Sequence, residues 1–214
     1  MTSGLSFSPG EALAHLSGVD PVLAALIERT PYSQRQSTGE PYAALLRTIL
    51  FQQLAGAAAS AIQRRFFALY GGETPPTPPQ LLDSSEEMLR TAGISRQKAG
   101  YMHDLALHVV NGTLDFETLP SLTDEEVVQR ITAVKGLGEW SAHMFLMFHM
   151  GRPDVLPVGD LGVRNGMRVA YGLQETPAPT RAREIGAPWA PFRSVGSWYM
   201  WRAVEPTAPT APEI

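Results

Sequence analysis

Ile131-Thr-Ala-Val-Lys-Gly-Leu-Gly-Glu-Trp-Ser-Ala142 joins two segments of helical periodicity through two glycines separated by one leucine. Ahead of it, Thr123 followed by Glu126 has the spacing of a capping box, which predicts a helix over 124–133. Behind it, Trp140, Met144, Met147 and Phe148 recur at helical spacing to about Met150. Gly136 and Gly138 permit a tight turn with positive φ and close approach of another backbone. Leu137 is then the apolar tip, tucked back between the helices. The amides that open the second helix point outward and are expected to suit a phosphate. An ordinary helical hairpin uses the same two glycines, so the turn alone does not decide function.

The same periodicity extends through most of the chain. Leu45, Leu46, Ile49, Leu50 and Leu54 repeat behind Pro41, a residue suited to a first helical turn. Residues 57–70 continue with Ala58, Ile62, Phe66 and Leu69 and stop at Gly71-Gly72. A short helix over 86–92 ends at Gly93, and Ser95 caps a longer one reaching Gly112. Further helices are expected over 160–171 and 192–204. Alternating strand patterns are scarce, so the expected fold class is all-α. Glu73-Thr-Pro-Pro-Thr-Pro-Pro79 is expected to be an extended, non-helical surface connection. Residues 206–214, rich in proline, are expected to form a disordered tail. No linker divides the chain cleanly, so two subdomains would have to share helices.

Composition narrows the classes. The 214 residues are 44% hydrophobic and 18% charged, too apolar for a disordered chain. No apolar run approaches the roughly 18 residues of a membrane span, and residues 1–10 lack the pattern of a secretory signal. A cytoplasmic protein is expected, nucleoid-associated if bacterial. The absence of cysteine excludes a disulfide framework, a thiolate zinc site, an iron–sulfur cluster and a cysteine nucleophile. His103 and His108 are five apart, on different helical faces, and make no convincing metal site. The net charge of −4 argues, taken alone, against a nucleic-acid partner. The positions of the charges matter more than their sum: Arg90, Arg96 and Lys98 stand without an acid between 90 and 103, while Asp115, Glu117, Asp124, Glu125 and Glu126 cluster elsewhere. On charge alone the favoured reading is a solvated acidic protein with scattered arginines.

The hairpin string resembles the helix–hairpin–helix motif, which grips one DNA strand without reading its sequence. Gly151-Arg-Pro-Asp-Val-Leu-Pro-Val-Gly-Asp160 follows it, and an Asp at this distance on a turn into a helix resembles the helix–hairpin–helix DNA glycosylase superfamily. Without the hairpin, Asp160 reads first as a plain N-cap; at this spacing behind the hairpin it reads as catalytic. Gly136-Leu-Gly-Glu-Trp-Ser-Ala142, Ile49-Leu-Phe-Gln-Gln-Leu54 and Pro191-Phe-Arg-Ser-Val-Gly-Ser-Trp-Tyr-Met-Trp201 are similar to the DNA-3-methyladenine glycosylase II family. These motifs span roughly residues 41–204. Bifunctional members of the superfamily carry a nucleophilic lysine two residues after the second hairpin glycine. Trp140 stands there, so the resemblance implies a monofunctional enzyme that hydrolyses the glycosidic bond and leaves the strand intact.

The resemblance implies two helical subdomains flanking a DNA-binding and active-site cleft. One comprises residues 1–41 plus 150–205; the other comprises 42–149 and ends in the hairpin, 131–149. Asp160 would be catalytic, with Trp140, Trp201, Met144 and Gln53 forming the substrate pocket. Cationic alkylated purines, 3-methyladenine and 7-methylguanine, would stack on the tryptophans. The turn before the 95–111 helix would supply the residue that fills the gap left by a flipped nucleotide. Its identity stays open among Ser95, Arg96 and Gln97, with Lys98 beside them. Lys135, Gly136, Leu137, Gly138 and Arg164 complete the expected DNA contacts. The implied partner is double-stranded DNA carrying alkylated bases, bound by a monomer. No cofactor is expected to be required. A structural monovalent cation, Na or K, would be held by the carbonyls of Thr132, Val134 and Leu137. Three other readings compete: a non-catalytic helix–hairpin–helix DNA-binding protein, a glycosylase of the superfamily with another lesion, and a small-molecule enzyme. The last leaves the hairpin unexplained.

Overall fold

The computed structural model describes residues 7–34, 37, 39–54, 56–72 and 74–205; the tail expected at 206–214 lies outside them. Among the described residues there are twelve α-helices and no strand. They are α1 (Pro9–Val19), α2 (Pro21–Arg29), α3 (Pro41–Phe51), α4 (Gly56–Ala68), α5 (Pro78–Leu82) and α6 (Glu86–Thr91). There follow α7 (Arg96–Val110), α8 (Asp124–Thr132), α9 (Glu139–Met144), α10 (Leu161–Ala170), α11 (Pro179–Gly186) and α12 (Arg193–Val204). After α9 the helix widens into a π-helical segment, Phe145–His149.

The chain forms two compact units, Met1–Thr38 with His143–Ile214, and Gly39–Ala142. The division read from the sequence, after 41 and after 149, therefore stands a little earlier at both places. Two hydrogen bonds show why. The Ser37 N–H donates to the Phe148 carbonyl at 2.7 Å, and Gln34 Nε2 donates to the Met147 carbonyl at 3.1 Å. These bonds claim the segment after Ala142 for the N-terminal residues rather than for the hairpin.

In the Gly39–Ala142 unit, α3 buries Leu45, Leu46, Ile49 and Leu50 and packs on α4 and α7. The face of α7 carrying Ala99, Met102, Leu105 and Ala106 is buried, and this helix also meets α5 and α6. Helix starts follow their caps. Ser85 accepts from Met88 N, Ser95 accepts from Lys98 N, and Thr123 and Glu126 complete a reciprocal capping box. The Pro-rich connection departs from expectation. Thr77 caps α5, and Pro78 and Pro79 occupy its first turn. Proline is tolerated there because its missing N–H would have no intrahelical partner anyway.

In the other unit, α12 is the central element. Its residues 194–200 are all buried, which only a helix enclosed on every side can sustain. It packs most extensively on α10, with α1 and α2 also against it. The close approach of α10 depends on Gly166, where an added Cβ would stand 2.0 Å from the Met200 carbonyl oxygen. Asp20 ties the unit together while only 7% exposed. Its Oδ1 caps α2 by accepting from Val22 N and Leu23 N. Its Oδ2 accepts a short bond from the Tyr171 hydroxyl and another from Trp189 Nε1 at 2.9 Å. Every donor facing this buried carboxylate is thereby matched to it, as burial of charge demands.

Candidate active site

The hairpin turn is built on α7. Gly136 has φ +84°, and a Cβ there would meet the Tyr101 ring at 2.3 Å, so both a left-handed backbone and close approach require glycine. Gly138 differs from expectation: its φ is not positive, and a Cβ there would meet nothing within 4 Å. Leu137 is 4% exposed, and its N–H donates to the Val134 carbonyl at 3.1 Å, so it is the inward tip of the turn. Asp104, one turn beyond Tyr101, accepts from Lys135 N at 2.8 Å and lies 3.5 Å from Lys135 Nζ. Gln52 Nε2 donates to the Gly136 carbonyl at 2.7 Å. Tyr101, Asp104 and Gln52 thus hold the hairpin, and none was singled out from the sequence for that role. Their spacing relative to the hairpin carries no local signal.

The acid-free turn before α7 is internally engaged. Ser95 is the N-cap, Arg96 pairs with Glu86 at 3.3 Å, and Gln97 Nε2 donates to the Tyr101 hydroxyl at 2.7 Å. Lys98 Nζ donates to the Leu50 carbonyl at 2.5 Å, closing the end of α3. Burial lowers the Lys98 ammonium from the ordinary 10.5. Gln53 lies in an exposed turn after α3 with φ +58°, the one non-glycine with positive φ among the described residues. Such strain marks positions where surroundings over-determine the backbone. Trp140, at the start of α9, is 49% exposed, unusual for an indole.

Asp160 is at once an N-cap and something more. The Pro157-Val158-Gly159 turn closes through Asp160 N donating to the Pro157 carbonyl at 2.8 Å. Its Oδ1 accepts from Val163 N at 2.7 Å, capping α10, and from Trp201 Nε1 at 2.9 Å. The Trp201 ring lies 5.7 Å from that of Phe148, tilted by 31°. The loop leading to Asp160 is laced to the start of α12. Arg193 grips Asp154 through Nε at 2.6 Å and a second guanidinium nitrogen at 2.8 Å, while Ser194 Oγ accepts from Val155 N and donates to the Arg152 carbonyl. A planar fork on a carboxylate fixes orientation as well as distance. The Asp154–Arg193 and Asp160–Trp201 contacts thus anchor the loop at both ends of one helix.

Two expected site residues, Met144 and Arg164, are engaged within the protein. Met144 is 9% exposed and offers little surface to a ligand. Arg164 donates to the Pro177 carbonyl at 3.2 Å, which bridges α10 to the segment before α11. Trp198, whose helical spacing reads as core rather than pocket, is indeed core, 3% exposed. His108 bonds to Thr113 and lies 3.6 Å from Asp104, and no cluster of metal-ligating side chains occurs among the described residues. Trp140 belongs to the hairpin unit, whereas Asp160, Trp201 and Met144 belong to the other.

Comparison with known proteins agrees in sequence and fold. The family described as HhH-GPD superfamily base excision DNA repair protein matches residues 46–191. A DNA-3-methyladenine glycosylase of Schizosaccharomyces pombe is 32% identical over 95% of this chain and 92% of its own length. The structure of an S. pombe 3-methyladenine DNA glycosylase in complex with abasic DNA superimposes with a TM-score of 0.79 at 33% identity, covering 90% of this chain and 95% of that one. A DNA-3-methyladenine glycosidase from Bacillus halodurans gives 0.83 at 37% identity, covering 94% and 91%. This chain therefore belongs to the HhH-GPD superfamily of base excision DNA repair proteins.

Proposed function

We propose that this protein is a monofunctional DNA glycosylase that removes alkylated bases, 3-methyladenine and 7-methylguanine among them, and leaves an abasic site. The observation that carries the reading is the Asp160 carboxylate, fixed by the Val163 N–H and the Trp201 indole N–H at the head of α10. Cationic alkylated purines already have weakened glycosidic bonds, so the reaction needs no strong general acid. The bond from the base nitrogen to the sugar C1′ breaks and its electron pair stays with the departing base. Asp160 stabilises the positive charge that develops on the sugar. A water oxygen then bonds to C1′ and gives up its proton, with Asp160 as orienting group or base. Trp140 occupies the position at which lyases of the superfamily have their lysine nucleophile, which supports hydrolysis by water. Trp201 and the exposed Trp140 supply electron-rich faces suited to a cationic base.

In this reading the hairpin unit supplies the grip on the DNA backbone. Gly138, where an added Cβ would meet open space, leaves the turn unencumbered for a phosphate, and Lys135, exposed three residues earlier and paired with Asp104, adds a positive charge to the same turn. The carbonyls of Thr132, Val134 and Leu137 belong to the end of α8 and its turn, where intrahelical partners run out. Such a neutral oxygen set fits a Na or K ion, which would join the turn to a phosphate. The gap-filling residue comes from one of two turns. The 95–97 turn has its side chains locally bonded, while the strained Gln53 turn is exposed. The protein acts as a monomer. No helix among the described residues is long and apolar enough to cross a membrane.

The test is base release from duplex DNA carrying radiolabelled methyl groups, with wild type and Asp160→Asn compared. Asn keeps the cap oxygen but not the charge. Wild type is expected to release free methylated base, with strands intact until alkali is added, and the variant to bind DNA without turnover. Salt-sensitive DNA binding by wild type without release would favour a non-catalytic clamp or another lesion.

A further inference from the structure

We infer that Gly162 is the positioning residue of the Asp160 carboxylate, because it keeps open the space in which the Trp201 indole N–H meets Oδ1. The inference rests on the reading of Asp160 as the catalytic group. A Cβ at position 162 would stand 3.0 Å from Asp160 Oδ1, 2.9 Å from Trp201 Cδ1 and 3.0 Å from Trp201 Nε1. Those atoms are the two ends of the hydrogen bond and the ring carbon beside it. Neither end is the free tip of a flexible side chain. Oδ1 also holds Val163 N at 2.7 Å, and the indole packs against Phe148. One helical turn on, Gly166 lets α10 approach the Met200 backbone, the residue adjoining Trp201. The height of the indole on α12 is therefore set by backbone contact, and a methyl group at 162 has to turn either the carboxylate or the ring. Two donors on one oxygen fix the plane of the carboxylate and so the direction in which Oδ2 faces. Glycines at 162 and 166 lie on one face of α10, so one face serves both seating and aim.

The experiment compares wild type, Gly162→Ala, Trp201→Phe, the double variant and Asp160→Asn as full chains. Single-turnover base release from alkylated duplex is measured beside the Kd for an abasic duplex and the Tm. Gly162→Ala is expected to slow release about 10- to 100-fold, the range for losing one hydrogen bond to a charged group, with Kd unchanged. Trp201→Phe removes the donor, adds no bulk and should slow release comparably. The double variant should be no slower than Trp201→Phe, because both changes break the same bond. Wild-type release by Gly162→Ala, additive losses in the double variant, or Kd weakening in step with the rate would each overturn the inference. If Gly162→Ala does not fold, the double variant set against Trp201→Phe decides, and a slower double variant overturns the inference. Turnover by Asp160→Asn at the wild-type rate would instead sink the catalytic reading itself.

Discussion

Gly166→Ala in α10 sets two opposed effects against each other. Inside a helix, alanine is favoured over glycine by roughly 0.8–1 kcal/mol. Against that, the new Cβ would lie 2.0 Å from the Met200 carbonyl oxygen, 2.5 Å from its carbonyl carbon and 2.7 Å from its Cα. Ordinary contact begins near 3.4 Å, so α10 and α12 would have to separate until 2.0 Å becomes at least 3.4 Å. The obstruction is backbone in the most deeply buried helix of its unit and has nowhere to give. Overpacking costs about 1–3 kcal/mol where side chains can adjust; here the upper end applies, and the net loss is about 2 kcal/mol or more. For a chain of this size that lowers Tm by roughly 4–8 °C. Gly100→Ala in α7 is the matched control, since a Cβ there meets nothing within 4 Å. It should raise Tm by about 2–3 °C. Calorimetry of the two variants in one buffer checks both signs. Shifts in the same direction would refute the packing argument.

Asp20→Ala strips the acceptor from four donors, Val22 N, Leu23 N, the Tyr171 hydroxyl and Trp189 Nε1, which come from three separate stretches of the chain. Equilibrium urea unfolding should show a loss of about 3–5 kcal/mol, and a loss below about 1 kcal/mol would contradict the network. Alkali should act through the buried phenols. Burial pushes the Tyr199 hydroxyl from 10.0 up to about 12, and raises those of Tyr32 and Tyr171 as well. The neutral phenol is the form the folded state prefers, so this stability is complete below pH 10.0 and is lost as pH climbs through about 12. Tyrosinate absorbance for these groups should therefore appear together with loss of helical circular dichroism; ionisation with the helices intact would refute the assignment.

Much of the fold was legible because its signals are local. The capping box at Thr123 and Glu126, the cap at Ser95 and the stop at Gly93 each act over a few residues, and each stands where read. The starts of α1 and α2 carry the same kind of signal, Ser8-Pro9 and Asp20-Pro21, although the sequence reading drew no helix from them. Pro78 and Pro79 were misread because proline opposes a helix interior but not its first turn. What stayed hidden is tertiary. Nothing in the residues around Asp154 announces that Arg193 grips it, nor does Gly162 announce Trp201. The four-residue spacing of Gly162 and Gly166 was the available clue to a close-packed face. Asp160 reads from the sequence as either a cap or a catalytic group; its Oδ1 caps α10 and accepts the Trp201 indole N–H at once, so the cap does not exhaust the carboxylate.

The knot at Asp20 also bears on the order in which the molecule is assembled. Its bonds to Tyr171 and Trp189 span 151 and 169 positions of chain. The Gly39–Ala142 unit is contiguous, and all of it has been synthesised when the ribosome passes residue 142. The other unit is not: α1 and α2 emerge first and must wait for α12 and the 187–189 turn before their buried faces find partners, and for Tyr171 and Trp189 before the second oxygen of Asp20 does. During that interval the Asp20 oxygen destined for Tyr171 and Trp189 has only water beside the apolar faces of α1 and α2, while the hairpin unit already has its core. The segment that carries Asp160 thus arrives late, and with it comes the remainder of the unit that α1 and α2 began.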